Sequence, residues 1–333
     1  MENMFLAETF KFTKIIILDI ANNHFGEVSH ALSIIRKFST LNYPKDYKIY
    51  FKLQYRNLET FIHPNSPKDS HYIKRFNSTK LNKDQLLEIA KGIKGLEQEK
   101  FKLMVTPFDE DSVNWASESE TDILKIASCS ANDWPLLEEA SNLNKPIVAS
   151  TGGLNLESID NLVSFFRHRA VNFSLMHCIS VYPTNPEDCN LSFINTLKRR
   201  YPEIAIGWST HEPPKNTDLV IAALAAGANL LERHICLPKE GKPQNAYSST
   251  PEELQNWLNK IHTTHNILGN PNISQRDEEV ASIKLLSRGV YAKKDIKKQE
   301  KITKENTYFA FPLITNDQLT SSTIKFPSYA LED

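Results

Sequence analysis

Short apolar runs alternate with longer amphipathic stretches along most of this chain. Ile15-Ile16-Ile17-Leu18 is followed by a polar turn and helical spacing over residues 29–38. A second run at 49–53 leads through a long connection to a helix over 83–97. Runs at 101–105, 123–126, 147–149, 171–176, 204–206 and 230–231 are each followed by a helical stretch, at 109–116, 135–142, 156–166, 190–200, 217–226 and 251–267. Each run is the length of a buried strand, and each stretch repeats its apolar positions every three to four residues. Eight strand–helix pairs in about 250 residues predict a (β/α)8 TIM barrel, an α/β fold. A doubly wound open sheet is the alternative, although it ordinarily carries fewer units and a glycine-rich first turn.

After about residue 275 the pattern changes. Residues 285–292 are strand-like, 295–300 form a polar turn, and 302–306 and 308–312 read as further short strands. The expected division is a barrel over 1–275, then a linker and a small β-rich module over 276–333. Fewer than 50 residues remain for that module and no closing element is read after Ser321-Ser322-Thr323. Such a module is near the lower limit for an independent core. It reads as truncated, as in a fragment of a longer protein, or as packed on a partner.

Composition narrows the function. Lys and Arg number 39 against 40 Asp and Glu, a formal charge of −1. The basic residues are scattered, and the densest stretch, 293–304, holds Asp295 and Glu300, so a nucleic-acid partner is not expected. No run of about 18 apolar residues suggests a membrane span, and the first residues lack the basic start of a signal peptide. Cys129, Cys178, Cys189 and Cys236 form no Cys-x-x-Cys pair and read as reduced thiols of a cytoplasmic protein. No GxGxxG, Walker A or GxSxG motif is present, which removes support for nucleotide-fold and hydrolase readings.

The chemistry gathers where the expected strands end, because strand C-termini converge on one mouth in a barrel. The residues there are Asp19 with Asn22, Asn23 and His24; Lys52 with Gln54; Thr106; Lys125 with Ser128; Ser150 and Thr151; His177 with Ser180 and Tyr182; Ser209 with His211; and Glu232 with His234. Lys52 and Lys125 interrupt apolar strands at equivalent places. One such lysine could simply snorkel to solvent. Two, beside Ser and Thr at neighbouring ends, suit a cradle for phosphate or carboxylate, and a Schiff base on lysine is a third role. His211 and His234 end successive strands beside Glu232, an arrangement that suits a divalent metal. His177, one strand earlier, is a third ligand or a hydrogen-bonding wall.

These segments together resemble the sialic acid synthase family, which condenses phosphoenolpyruvate with an N-acyl amino-sugar aldose. The resemblance is carried by Asp19-Ile-Ala-Asn-Asn-His24-Phe-Gly26, Phe51-Lys52-Leu-Gln54, Thr106-Pro107-Phe108-Asp109 and Leu124-Lys125-Ile-Ala-Ser128. It continues in Ala149-Ser150-Thr151-Gly152-Gly153, His177-Cys-Ile-Ser-Val-Tyr182-Pro183, Gly207-Trp-Ser209-Thr-His211 and Glu232-Arg-His234. The stretch from Ser287-Arg288-Gly289 is similar to the opening of that family's antifreeze-like (SAF) domain.

The resemblance implies a homodimer in which each small domain caps the partner's site. It places phosphoenolpyruvate on Lys52, Thr106, Lys125, Ser128, Ser150 and Ser209, and a divalent metal (Mn2+, with Mg2+ or Co2+ as alternatives) on His211 and His234. It places the sugar beside Asp19, Asn23, Tyr182 and Asn245, with Asp19, Lys52, Lys125 and Tyr182 as the catalytic set. The sugar side departs from the family pattern. A family Glu is Asp19 here, another is Ser130, an Asp is Asn245, and the Arg of an Arg-Pro-Gly turn is replaced in Phe311-Pro312-Leu313. The expected activity is condensation to a 2-keto-3-deoxy acid with release of phosphate, on an acceptor other than plain N-acetylmannosamine, because lost polar groups change which hydroxyls are recognised. The alternatives are a degenerate barrel that binds without turnover and an aldolase using Lys125 as a Schiff base.

Overall fold

A computed structural model describes residues 10–67, 69–270, 272, 274–315 and 317–331. The chain divides into two compact units, Met1–Leu268 and Gly269–Asp333. In the first, β1 (Ile15–Asp19), β2 (Lys48–Tyr55), β3 (Phe101–Pro107), β4 (Ile123–Ile126), β5 (Ile147–Ser150), β6 (Phe173–Cys178), β7 (Ile206–Ser209) and β8 (Leu230–His234) form a closed barrel in sequence order. All neighbours are parallel, and β8 closes on β1 with Asp19 opposite His234. On its other side Asp19 is opposite Lys52 of β2. The expected (β/α)8 architecture is therefore present.

Alternation along these strands builds both the core and the site. Ile15, Ile17, Tyr50, Met104, Ile123, Val148, Met176 and Leu230 form one buried cluster that fills the barrel floor. Ile16, Leu18, Phe51, Leu103, Val105, Leu124 and Leu175 belong to a second cluster, between strands and helices. Helix Val28–Ser39 adds Ala31, Ile34, Ile35 and Phe38 to it, and helix Pro251–Leu268 adds Leu254, Trp257, Leu258 and Ile261. These positions repeat every three to four residues, so one stripe of each helix faces the barrel. Burying each large apolar side chain contributes about 1.5–3 kcal/mol relative to leaving it exposed.

Two residues beyond six of these floor positions the strand presents a polar side chain on the same face. Ile17 leads to Asp19, Tyr50 to Lys52, Met104 to Thr106, Ile123 to Lys125, Val148 to Ser150 and Leu230 to Glu232. Most strands accordingly run past the apolar run that signals them; β2 reaches Tyr55, β3 reaches Pro107 and β8 reaches His234. The closely packed floor also explains Gly207 of β7. A Cβ there would lie 2.8 Å from both the Leu230 carbonyl oxygen and its Cβ, so a side chain would push β8 away.

The connection after β2 holds two helices not foreseen from periodicity, Leu58–Phe61 and His71–Ser78. Helix Lys83–Lys94 then starts from a capping box, with Asn82 accepting from the Gln85 backbone and Gln85 from that of Asn82. In the second unit, helix Asp277–Leu285 occupies sequence read as linker and strand. Strand β9 (Gly289–Ala292) pairs antiparallel with β11 (Thr307–Ala310), and β10 (Lys301–Ile302) pairs with β12 (Ser328–Tyr329). The segment after Thr323 thus supplies β12, a closing element whose two residues are too few to leave a periodic signal.

Candidate active site

The barrel mouth centres on Glu232, which sequence reasoning noted at a strand end without assigning it a role. Its Oε1 accepts from Lys52 Nζ at 3.1 Å and from Ser209 Oγ at 2.9 Å. Its Oε2 lies 3.8 Å from Lys125 Nζ and has no hydrogen-bond partner among the described residues. Lys52 Nζ also lies 3.0 Å from Asp19 Oδ2. The Asp19 carboxylate accepts from the Ala21 backbone N–H at 2.8 Å and from Gln54 Nε2 at 3.0 Å. Lys125 Nζ donates to Ser150 Oγ at 2.5 Å and to the Ile126 carbonyl at 3.3 Å. All four charged side chains are nearly fully buried.

Electrostatics follow from that burial. Desolvation works against the charge on Lys52, yet Asp19 and Glu232 outweigh it and hold the ammonium above its ordinary range. For Glu232, burial opposes ionisation, but Lys125, Lys52 and His234 hold the carboxyl well below the usual range. Asp19 is lowered in the same way, with Lys52 and His234 overcoming desolvation. Lys125 differs: burial dominates, Lys52 repels it, and its pKa falls despite Glu232. Lys52 is thus a fixed cation, while Lys125 is the easier of the two to discharge.

The predicted hydroxyls ring this network. Thr106 Oγ1 is buried with no hydrogen-bond partner among the described residues. Ser128 Oγ accepts from the Gly152 backbone at 3.0 Å and lies 3.4 Å from Cys178 Sγ. A Cβ at Gly152 would stand 2.8 Å from that Ser128 oxygen, so the glycine lets the loop after β5 approach it.

His211 and His234 face one another with ring centroids 5.4 Å apart. The Ile179 carbonyl lies 2.8 Å from His211 Nδ1, which assigns the proton to Nδ1 and leaves a lone pair on Nε2. His234 Nδ1 is 3.4 Å from Asp19 Oδ2 and has no hydrogen-bond partner among the described residues. Burial, reinforced by His234, pushes His211 down to about 3, and burial also lowers His234. Both rings are neutral near pH 7, as a divalent cation requires of its ligands. No group of three or more His, Cys, Asp or Glu side chains suited to a metal occurs among the described residues. His177 in particular belongs to the wall: the Cys189 carbonyl lies 2.7 Å from its Nε2, and its ring stacks near Phe193.

On the outer side Tyr182 packs 4.3 Å from His211 and 5.3 Å from Tyr247, centroid to centroid, and is half exposed. Asn245 Nδ2 donates to Asn23 Oδ1 at 3.1 Å, and Asn23 Nδ2 donates to the Ile235 carbonyl and Ser248 Oγ. These bonds tie the loop after β1 to the loop after β8. Ala21 and Phe25 of the first loop take left-handed backbone conformations (φ 46° and 54°) that bring Asn23 and His24 to the mouth. Ser130 is buried in the short turn Ser128–Ser130 after β4.

Two further residues were not read from sequence as a pair. Arg233 and Glu212 are both fully buried, with Nη1 2.5 Å from Glu212 Oε1. Arg233 also donates to Ser249 Oγ at 2.6 Å and Thr210 Oγ1 at 3.2 Å. Each follows or precedes a site histidine, so the pair braces the ends of β7 and β8. Their signal was only adjacency to His211 and His234.

The NeuB family profile matches residues 49–272, which includes every strand from β2 to β8. The chain belongs to the NeuB family, the sialic acid synthases that its motifs resemble. Among NeuB relatives it is 37% identical over 176 residues to N-acetylneuraminate-9-phosphate synthase of Drosophila melanogaster, covering 52% of this chain and 46% of that one. It is 31% identical over 205 residues to N,N'-diacetyllegionaminic acid synthase of Campylobacter jejuni, covering 60% of each. Both matches span less than two thirds of the relative. The chain is similar to a crystal structure from Chromobacterium violaceum, described as a putative spore coat polysaccharide biosynthesis protein E, with a TM-score of 0.88. Identity there is 38%, covering 95% of this chain and 96% of that one.

Proposed function

We propose that this NeuB protein condenses phosphoenolpyruvate with an amino-sugar aldose to give a 2-keto-3-deoxy acid and phosphate. The observation that carries the reading is the buried Lys52–Glu232–Lys125 network, ringed by Thr106, Ser128, Ser150 and Ser209 and flanked by two neutral imidazoles. Two lysines and four hydroxyls in one dry mouth match the phosphate and carboxylate of phosphoenolpyruvate. Thr106 Oγ1 is buried and has no hydrogen-bond partner among the described residues. His211 Nε2 and a nitrogen of His234 would hold a divalent cation such as Mn2+, whose chemistry is to polarise the acceptor's aldehyde oxygen.

Lys52 and Lys125 fix the donor so that its C3 can attack the aldehyde carbon. Water then adds at C2 of the resulting cation while a proton passes to the alkoxide formed from the aldehyde oxygen; the C2–O bond to phosphate breaks as the C2 hydroxyl gives its proton to the leaving phosphate, which forms the ketone. Glu232 Oε2, charged and without a hydrogen-bond partner among the described residues, is the oxygen that would accept a hydrogen bond from that water and orient it. Asp19 holds Lys52 and Gln54 in place and stands beside His234. Tyr182, Asn23 and Asn245 form the rim over which the acceptor enters.

The test is inorganic phosphate release from phosphoenolpyruvate with Mn2+ and a panel of amino-sugar aldoses. Release that depends on both an acceptor and Lys52 supports the reading. Phosphoenolpyruvate binding with no release for any acceptor would leave the degenerate barrel instead. The lowered pKa of Lys125 favours one second reading, a Schiff-base aldolase, and borohydride trapping of a keto acid on Lys125 would establish it.

The second unit supports an SAF-like module that docks on a second copy. Leu286, Phe311, Ile314 and Leu331 are all largely exposed there. A homodimer by light scattering that dissociates on Phe311→Glu and Ile314→Glu substitution is the expected outcome.

A further inference from the structure

A cavity of about 350 Å3 lies beside the end of β6, between the turn after β5 and the first turn of helix Phe193–Arg200. It is lined by Thr151, His177, Asn190, Ser192, Phe193 and Thr196 among others. Its volume is that of a small-molecule site, a class that begins at about 300 Å3. His177 makes it more than a dent in the surface. β6 turns Met176 to the barrel floor and Leu175 to the layer between strands and helices, and His177 follows Leu175 to that outer face, where it is 4% exposed. Its Nε2–H donates to the Cys189 carbonyl at 2.7 Å, which leaves Nδ1 as an acceptor with no hydrogen bond among the described residues. Burial lowers its pKa against the pull of that carbonyl, so the ring is neutral near pH 7. A buried acceptor is costly until a donor reaches it.

The remaining lining selects the chemistry of the ligand. Ser192 and Thr196 stand one turn apart on one face of the helix, and neither hydroxyl makes a hydrogen bond among the described residues. Asn190 spends its Nδ2 on the Asp188 carbonyl at 2.9 Å, which leaves Oδ1 to accept. The Phe193 ring, 5.5 Å from that of His177, adds an aromatic face. No Lys, Arg, Asp or Glu of the described residues lines the cavity. The helix start offers no anion site either. The amides of Phe193, Ile194 and Asn195 already donate to the carbonyls of Asn190, Leu191 and Ser192 at 2.9–3.1 Å. Two bare acceptors, two free hydroxyls and one aromatic face, without charge, suit a neutral ring rich in O–H and N–H donors with an apolar side.

We propose that this cavity is a second site, outside the mouth, for a neutral cyclic sugar of monosaccharide size, and that its occupancy tunes donor binding. The link is the turn over residues 151–154. The Thr151 N–H and Oγ1 both donate to the Met176 carbonyl, at 3.0 and 3.1 Å, and the Leu154 N–H donates to the Thr151 carbonyl at 3.1 Å. Thr151, Gly153 and Leu154 line the cavity, while the Gly152 N–H between them donates to Ser128 Oγ at 3.0 Å. A sugar held against one side of the turn fixes the amide that orients Ser128 on the other side. This coupling rests on the reading of Ser128 as a hydroxyl that holds phosphoenolpyruvate; the sugar site does not.

The probe is the methyl glycoside of N-acetylglucosamine, which has no free aldehyde and so cannot be condensed; its terminal phosphate ester is the charged control. Calorimetry measures Kd with and without saturating phosphoenolpyruvate for the full chain, for Ser192→Ala with Thr196→Val, and for Thr196→Trp, which fills the cavity. Saturable binding is expected to persist beside phosphoenolpyruvate. It should weaken about 5–100-fold in the double variant, the scale of two neutral hydrogen bonds, and vanish in Thr196→Trp. The neutral probe should bind at least about threefold tighter than its ester, because no cation meets the phosphate. Phosphoenolpyruvate affinity should shift about two- to fivefold when the probe is bound to wild type, and stay constant in Thr196→Trp. Thermal melts check that the variants are folded, and the milder double variant decides if Thr196→Trp is not. No saturable binding up to about 10 mM, where a ligand with a Kd of about 1 mM is mostly bound, overturns the site. So do competitive displacement by phosphoenolpyruvate, preference for the ester, and binding that neither variant weakens. Binding with no shift in phosphoenolpyruvate affinity overturns the coupling and leaves the site. A wild type that binds the probe but no phosphoenolpyruvate overturns the donor reading instead, and leaves the site standing on its dependence on Thr196.

Discussion

The floor and the rim of the mouth are built from different materials. At the floor, Asp19, Lys52, Lys125 and Glu232 are buried and bonded to one another within about a side chain's length. At the rim, Asn23, Asn245, Tyr182 and Tyr247 are neutral, and Tyr182 is half exposed. A charged group at the floor has no water to fall back on, so each depends on the others. A partly exposed rim residue such as Tyr182 or Asn245 can exchange its protein contact for water at little cost. Replacement is therefore expensive at the floor and cheap at the exposed part of the rim.

The largest effect expected is at Lys52. Lys52→Met leaves Asp19 and Glu232 as two buried carboxylates without their common cation. Breaking a buried pair this way costs about 3–5 kcal/mol of stability. Phosphate release should fall at least about a thousandfold, on the scale seen when a preorganised charge is removed from a reacting centre. Denaturant melts and single-turnover assays measure the two. A stable, active variant would mean that floor and rim do not differ as described.

Next is the brace outside the barrel. Arg233→Met should cost about 3–5 kcal/mol because Glu212 is left charged and fully buried. Arg233→Met with Glu212→Leu should recover most of that loss in urea unfolding, while Mn2+ affinity stays weakened. Full recovery of metal affinity would show that the pair does not position the histidines.

Metal removal separates floor from flank. Chelation should abolish turnover and Mn2+ should restore it, whereas phosphoenolpyruvate should still stabilise the chelated protein because its contacts come from lysines and hydroxyls. Loss of donor binding on chelation, read by thermal shift, would join the two regions into one. The smallest effect is at the rim. Asn245→Ala removes one neutral hydrogen bond to Asn23, worth about 0.5–1.5 kcal/mol. The acceptor KM should rise about two- to tenfold, with the phosphoenolpyruvate KM unchanged.

How legible each part was follows the same division. The barrel was readable because the strands carry short apolar runs, as in β4 (Ile123–Ile126), broken only by Lys125 and expected and found over the same residues. The floor chemistry was readable because a lysine inside such a run, as at Lys52 and Lys125, breaks the hydrophobic rule. Strand ends were read short, since a polar residue ends an apolar run without ending the strand. Helix His71–Ser78 was missed because it is short, polar on average and has no buried residue, so it lacks the apolar content by which the other helices were read.

From sequence alone came the eightfold alternation, the lysines and hydroxyls at strand ends, and the two histidines that the motifs single out. Those are properties of residue type and period, which the chain carries locally. Only tertiary structure decided that Lys52 reaches both Asp19 and Glu232, that His177 turns to the wall, and that Arg233 meets Glu212. It also decided that the Arg56 guanidinium lies against the rings of Phe76 and Phe108. Each depends on the register and closure of the barrel, which bring together side chains up to 225 positions apart (Asn23 and Ser248) and which no local pattern specifies.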